Sequence, residues 1–191
     1  MEVVKAPDPR LKIQTKPVKK INPALLQILK EMIKLTKTFK EPEGVGLAST
    51  QIGLDEAFFV ARLDESAKPR QRRAKRAKNG NPPAGGFISV INPKVLSYGK
   101  RTKKYFEGCL SSPNIWGEVK RYTLMKVSYQ DSHGKSITQT FKGITAWIFQ
   151  HEMDHLNGIL FQDRVLQQKG KFFKFTGRDK TGQDIFEEVT I

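Results

Sequence analysis

Apolar positions recur at helical spacing early in the chain: Leu25, Ile28, Leu29, Met32, Ile33 and Leu35, with Lys30, Lys34 and Lys37 on the opposite face. Asn22 and Pro23 stand where a helix wants a capping side chain and a first-turn proline. The pattern predicts a core-packing helix from Pro23 to about Phe39, ended by Glu41-Pro42-Glu43-Gly44. Gly44 to Gln51 follows as a small-residue loop, and Phe58–Ala61 reads as a short buried strand. Phe87–Ile91 predicts another strand, stopped at Asn92-Pro93, with more strand and turn over 94–106. Leu124–Tyr129 and Ser136–Phe141 flank Asp131-Ser132-His133-Gly134, a strong hairpin signal. A second helix is expected from about Ile144 to Leu156, with Gly158 just beyond as its stop. Phe172–Phe175 and Ile185–Ile191 predict a last hairpin around Gly177–Gly182, and His133 falls in a turn as an exposed structural residue.

Composition narrows this picture. The 191 residues suit one domain, and no stretch approaches the ~20 apolar residues of a membrane span. The first residues lack the apolar core of a secretory signal, so a cytoplasmic protein is expected. One cysteine, Cys109, allows no internal disulfide, in keeping with a reducing compartment. The net charge of +15 implies attraction to polyanions. Seven Lys or Arg and no acid lie between Ser66 and Gly86, a stretch ending Asn-Pro-Pro-Ala-Gly-Gly. Such a segment cannot build a core and is expected as a mobile insertion of about 66–86 between two strands of a single 1–191 domain.

The chemistry concentrates in Gln150-His151-Glu152-Met153-Asp154-His155. On a helix, positions i and i+4 share a face, so His151 and His155 can aim two imidazoles at one ion while Glu152 moves protons beside it. A catalytic site needs a third protein ligand and an open position. The elongated peptidase form would put a histidine at 161, where the chain has Phe161, and the downstream Glu187 and Glu188 lie in a strand-like segment. Upstream, Glu107-Gly108-Cys109-Leu110-Ser111 holds the only thiol, and a thiolate is a good ligand for zinc or iron(II). Cys109, His151 and His155 are therefore the candidate ligand set. Ile144, Trp147 and Ile148 share the histidines' helix face and are candidate walls of an apolar pocket. The expected architecture is α+β: antiparallel or mixed sheets around a central metal-binding helix, with a second, N-terminal helix.

Three segments taken together resemble the peptide deformylase family, in the right order: Gly44–Gln51, Glu107–Ser111 and Gln150–His155. The opening, Pro7-Asp8-Pro9-Arg10-Leu11 and Lys16-Pro17-Val18, is similar too. The resemblance implies removal of the formyl group from the initiator N-formylmethionine of nascent polypeptides, with release of formate. It implies one divalent ion on Cys109, His151 and His155, with iron(II) the expected native ion and zinc or nickel as replacements. Glu152 would act as the proton carrier, and the Gln51 amide and the Leu110 backbone N–H as donors to the developing oxyanion. The substrate would pair as an added strand along Val45 and Gly46, with Glu107 and Gly108 also at the substrate. Gly44 and Gly46 are expected to supply special backbone angles and close approach.

Some positions depart from the family's usual pattern. Ser49 replaces a second alanine, Ser112 an aliphatic residue, and Trp116 a basic residue near the substrate's far end, where Arg121 could substitute. The basic insertion suggests contact with ribosomal RNA through phosphate neutralisation, though it carries no aromatic for base stacking. The runner-up function is an H-E-x-x-H zinc endopeptidase. A third is a ribosome-binding protein with a structural metal. A monomer is expected, with no membrane partner.

Overall fold

The helix expected after Asn22 forms over Pro23–Thr36 (α1) in the computed structural model, which describes residues 1–63 and 86–190. Asn22 Oδ1 accepts from Leu25 N at 2.9 Å, and Leu25, Leu29, Met32 and Thr36 form its buried stripe. It stops short of Phe39. The Gly44 backbone closes against the carbonyl of Thr36, where a Cβ would stand 1.9 Å from the oxygen. The strands follow as β1 (Gly46–Ala48), β2 (Phe58–Arg62), β3 (Phe87–Tyr98), β4 (Thr102–Cys109), β5 (Ser112–Tyr122), β6 (Leu124–Gln130) and β7 (Ser136–Lys142). Then come α2 (Gly143–Leu156), α3 (Phe161–Gln167), β8 (Phe172–Arg178) and β9 (Asp184–Val189).

The strands make two antiparallel sheets, one in the order β1-β2-β3-β6-β7, the other β4-β5-β8-β9. β2 explains the layering. Its apolar run is covered on both faces, so alternate residues serve different cores. Phe58 and Val60 pack with Leu25, Leu29 and Met32 of α1. Phe59 and Ala61 pack with Ala146, Ile148 and Phe149 of α2, Phe59 meeting the Phe149 ring edge-on at 5.2 Å. The far side of α2 faces the second sheet, where Trp147 stacks on Tyr105 of β4 at 5.2 Å. The helix carrying both histidines thus lies between the two sheets, as expected of an α+β domain built around it.

Leu63 N donates to the Gly86 carbonyl at 3.0 Å, so the chain leaves β2 and enters β3 at adjacent points. The basic segment expected at 66–86 otherwise lies outside the described residues. β3 does not stop at Asn92-Pro93. It absorbs the proline in a bulge, with register shifts after Ile91 and Asn92 in the left-handed region at φ 51°. Asn92 Oδ1 accepts from Val18 N at 2.8 Å, while Nδ2 donates to the Val18 carbonyl at 3.0 Å and to Gln130 Oε1 at 2.9 Å. β5 and the seven-residue α3 had no clear signal: Pro113, Asn114 and Gly117 interrupt one, and the other is too short for a period. Among the described residues, no helix is long and apolar enough to cross a membrane.

Candidate active site

α2 delivers three groups to one place. His151 and His155 stand one turn apart with ring centroids 5.0 Å from each other, and Glu152 lies beside them. β4 ends at Cys109, whose Sγ is 3.2 Å from His155 Nε2. One donor atom from each of Cys109, His151 and His155 lies within 4.8 Å of the others. Ligands sharing a tetrahedral ion at ordinary metal–sulfur and metal–nitrogen lengths stand about 3.5 Å apart, so the set fits one ion. Its electrostatics agree. Burial opposes charge on His151, yet Cys109 and Glu107 hold its pKa well above the usual histidine range. Burial and then the neighbouring His151 push His155 well below it.

Glu107 takes a different place from the one expected of it. Its carboxylate is fully buried, accepting from His151 Nδ1 at 2.9 Å and from Arg121 Nε and Nη2 at 2.7 and 2.9 Å. It does not line the cleft and is no substrate contact. It stands behind His151, fixing the ring so that Nε2 faces Cys109 and His155. Although burial alone would raise it, these hydrogen bonds hold Glu107 at about 2. Arg121 is corrected with it. The guanidinium is only 5% exposed, clamped between Glu107 and Asp154, and cannot reach a substrate's far end. Arg164 of α3 closes the network on Asp154 at 2.6 Å. Sequence reasoning missed Arg121 and Asp154 as supports; the signal was a lone arginine two positions beyond the apolar Val119 on an inward-facing strand row.

Gln51 sits in a 3-10 turn, Ser49–Ile52, that continues β1. Its Oε1 accepts from Ala48 N at 2.8 Å, which turns Nε2 toward Ser111 Oγ at 3.1 Å and Cys109 Sγ at 3.4 Å. Val4 N donates to the Gln51 carbonyl and Ala6 N to that of Ser111, both at 2.8 Å, so the N-terminal segment straps the two motif loops together. Ser49 and Ser112, the two departures near the site, bond inward. Ser49 Oγ donates to the Glu56 carbonyl at 2.5 Å, and Ser112 Oγ accepts from Gln162 Nε2 at 2.6 Å.

A cleft of about 290 Å³ opens over these groups. Val45, Gly46, Gly108, Leu110, Ile144, Trp147 and Ile148 line it, as do Gln51, Cys109, His151 and Glu152. The pocket face of α2 is not uniformly buried: Ile148 is core, whereas Ile144 is 45% exposed at the rim. The motif glycines act by closeness rather than by special angles, since neither Gly44 nor Gly46 has positive φ. A Cβ on Gly46 would stand 2.2 Å from Glu152 Oε1. Glu152 is 2% exposed, and burial lifts its carboxyl to about 7. Its Oε2 and His155 Nδ1 are buried without a hydrogen-bond partner. A carboxylate so placed beside a sulfur–imidazole donor set is poised to exchange a proton with a water or substrate in the cleft.

Comparison with known proteins gives a consistent result. A family model described as Polypeptide deformylase matches residues 1–171. The peptide deformylase of Thermotoga maritima is 36% identical over 162 residues, 85% of each chain. The crystal structure of peptide deformylase from Thermotoga maritima superposes with a TM-score of 0.69, at 36% identity, covering 85% of this chain and 95% of that one. A peptide deformylase from Synechococcus elongatus in complex with actinonin gives 0.71 at 30% identity, over 86% and 79% of the two chains.

Proposed function

Since the chain belongs to the peptide deformylase family, whose metal-dependent hydrolysis removes the N-formyl group from formylmethionyl peptides, we propose that Cys109, His151, His155, Glu152, Gln51 and Leu110 carry that reaction here. The observation that supports it best is the buried, unpartnered Glu152 oxygen beside the Cys109–His151–His155 donor set. Cys109, His151 and His155 would hold the ion, which would supply Lewis acidity for the formyl group and for a water. Glu152 takes the proton of the attacking water and passes it to the amine nitrogen as the C–N bond breaks. Gln51 Nε2 and the Leu110 N–H donate to the formyl oxygen as it gains charge, each worth about 3 kcal/mol by analogy with other hydrolases. β1 lies at the end of its sheet, and a substrate backbone adds beside Val45 and Gly46. The methionine side chain enters between Val45, Ile144, Trp147 and Ile148, a burial worth about 2 kcal/mol.

The finer parts of this reading are iron(II) as native ion, a monomer acting on nascent chains in the cytoplasm, and attraction to ribosomal RNA through the basic surface. The thiolate–imidazole donor set supports a borderline transition metal. The charge of +15, of which +8 remains outside the 66–86 segment, supports the last. The endopeptidase reading loses its ground. Phe161 is 1% exposed and packs beside His151, and Glu188 is paired with Lys171 in β9.

The test is formate release from formyl-Met-Ala-Ser by protein purified without oxygen and loaded separately with iron(II), nickel or zinc. Release is expected with metal and is lost in Glu152→Ala at unchanged metal content. Peptide-bond cleavage without formate would overturn the reading.

A further inference from the structure

The family match ends at Lys171, yet the chain continues into the β8–β9 hairpin, which extends the sheet that carries Cys109. β8 pairs with β5 so that Phe173 lies opposite Trp116. Side chains alternate along strands, and the hairpin's aromatic row falls on the face of Trp116 and Phe106. Phe186 of β9 meets the Trp116 ring at 5.4 Å and Phe106 at 4.8 Å, both edge-on, while Phe106 stacks on Trp116 at 5.4 Å. The indole also lies so close to Gly108 that a Cβ there would stand 3.0 Å from the ring. Trp116 also lines the catalytic cleft. One residue of the cleft wall, Trp116, is therefore in contact with Phe186, which follows the family match.

The same hairpin reaches a second part of the rim. At the end of β8, Arg178 bonds Asp184 at 2.8 Å and also the carboxylate of Glu41. Glu41 precedes Pro42 and Glu43, which line the cleft, and Glu43 is itself paired with Arg62. The hairpin is thus anchored both to Trp116 and to the 41–43 turn.

We propose that the C-terminal hairpin is a specificity element. Phe186 and Arg178 are positioning residues that hold Trp116 and the Glu41–Glu43 rim, so that the cleft favours peptides with apolar side chains after the formylated methionine. This rests on the deformylase reading. Trp116 gives this part of the cleft an apolar, uncharged lining, which aromatic and aliphatic side chains cover better than acidic ones.

The experiment compares formyl-Met-Leu-Phe with formyl-Met-Gly-Asp on metal-loaded wild type, Phe186→Ala, Phe186→Tyr and Arg178→Gln. Phe186→Ala is expected to raise KM for the apolar peptide roughly 3- to 10-fold, the range that one aromatic pair supports. Its kcat, and both constants for the Gly-Asp peptide, should stay unchanged. Phe186→Tyr restores the wild-type split. Arg178→Gln, at a half-exposed surface pair that leaves the core intact, moves the split in the same direction. Equal losses on both peptides, or a fall in kcat alone, would show a merely structural hairpin and overturn the proposal. Calorimetric Kd values for the two peptides, on zinc-loaded protein carrying Glu152→Ala with and without Phe186→Ala, separate this from the activity. The same split in Kd sustains the hairpin's role even if wild type releases no formate. Formate release without any split sinks the hairpin reading alone.

Discussion

Glu107 and His151 meet at 2.9 Å, carboxylate to Nδ1, and Arg121 holds the same carboxylate from behind through two nitrogens. A buried salt bridge of this kind does not earn its place by stability alone. Here it orients a histidine proposed to hold the ion. The guanidinium fixes the carboxylate, the carboxylate fixes the ring, and Nε2 is left to face Cys109 and His155.

Glu107→Gln keeps the size and one acceptor but removes the charge that matches both Arg121 and His151. Metal retention is expected to fall 10- to 100-fold, the usual cost of losing a partner behind a metal-binding histidine. Competition with a chromophoric chelator measures it directly. Unchanged retention would show that the ring is held by packing alone. Thermal unfolding should also shift down, because Arg121 keeps only Asp154 as a buried counter-ion.

The two buried carboxylates give metal-free protein opposite pH slopes. Glu107 is held at about 2, against 4.5 unfolded, so its stabilisation is complete above pH 4.5 and is lost as pH falls toward 2. The shift corresponds to about 3 kcal/mol. Glu152 is raised to about 7, so the fold favours its protonated form and loses stability as pH rises from 4.5 through 7. Because the depressed His155 adds a rise of its own up to about pH 6.5, the Glu152 contribution is read as a difference: urea midpoints of wild type minus Glu152→Gln should fall between pH 4.5 and 7. A difference that stays flat from pH 4.5 to 7 would contradict the burial of Glu152.

Asn92 gives a prediction about the fold alone. Its side chain makes three hydrogen bonds across the bulge, and its backbone sits at φ 51°. Asn92→Ala should cost about 3 kcal/mol, from lost hydrogen bonds and from the left-handed conformation that alanine resists. Asn92→Gly loses the bonds without that strain and should be about 1 kcal/mol milder. Denaturant titrations separate the two. Equal costs would mean that the backbone relaxes when the side chain is lost.

This residue also shows where the sequence was legible. Asn92-Pro93 signals a break in a strand, since proline cannot donate to a ladder, and only the tertiary partners Val18 and Gln130 turn that break into a bulge. The meeting of Cys109, His151 and His155 was readable because the histidines' spacing is local and because one thiol exists to join them. The α2 boundaries and two hairpins followed from period and glycine. Glu107 was misplaced because a motif carries neighbours in sequence, while strand alternation sends Glu107 and Gly108 to opposite faces. Arg121 was misread for the reason that its partners lie 14 and 33 residues away, and a lone arginine in a strand usually faces water. The support behind a site is written in the packing of separate elements, and local pattern does not record it.

Gly46 tests that packing most sharply. The sequence offers it as a position of special backbone angle and close approach of substrate, yet its φ is ordinary and its neighbour is Glu152 Oε1, 2.2 Å from where a Cβ would lie. β1 is pinned by pairing with β2 on one side, Gly46 opposite Ala61, so the strand cannot easily retreat. The carboxylate must then move, and it is the group we propose as the proton carrier. Gly46→Ala is expected to lower kcat at least 100-fold, as misplacement of a catalytic group by about 1 Å does. Metal content should be unchanged, because Cys109, His151 and His155 lie on other elements. The KM for formyl-Met-Ala-Ser should change less, since the added methyl points out of the sheet toward Glu152 while a substrate strand pairs in its plane. A Gly46→Ala enzyme with near-normal kcat would show that Glu152 adopts another rotamer and still reaches its proton.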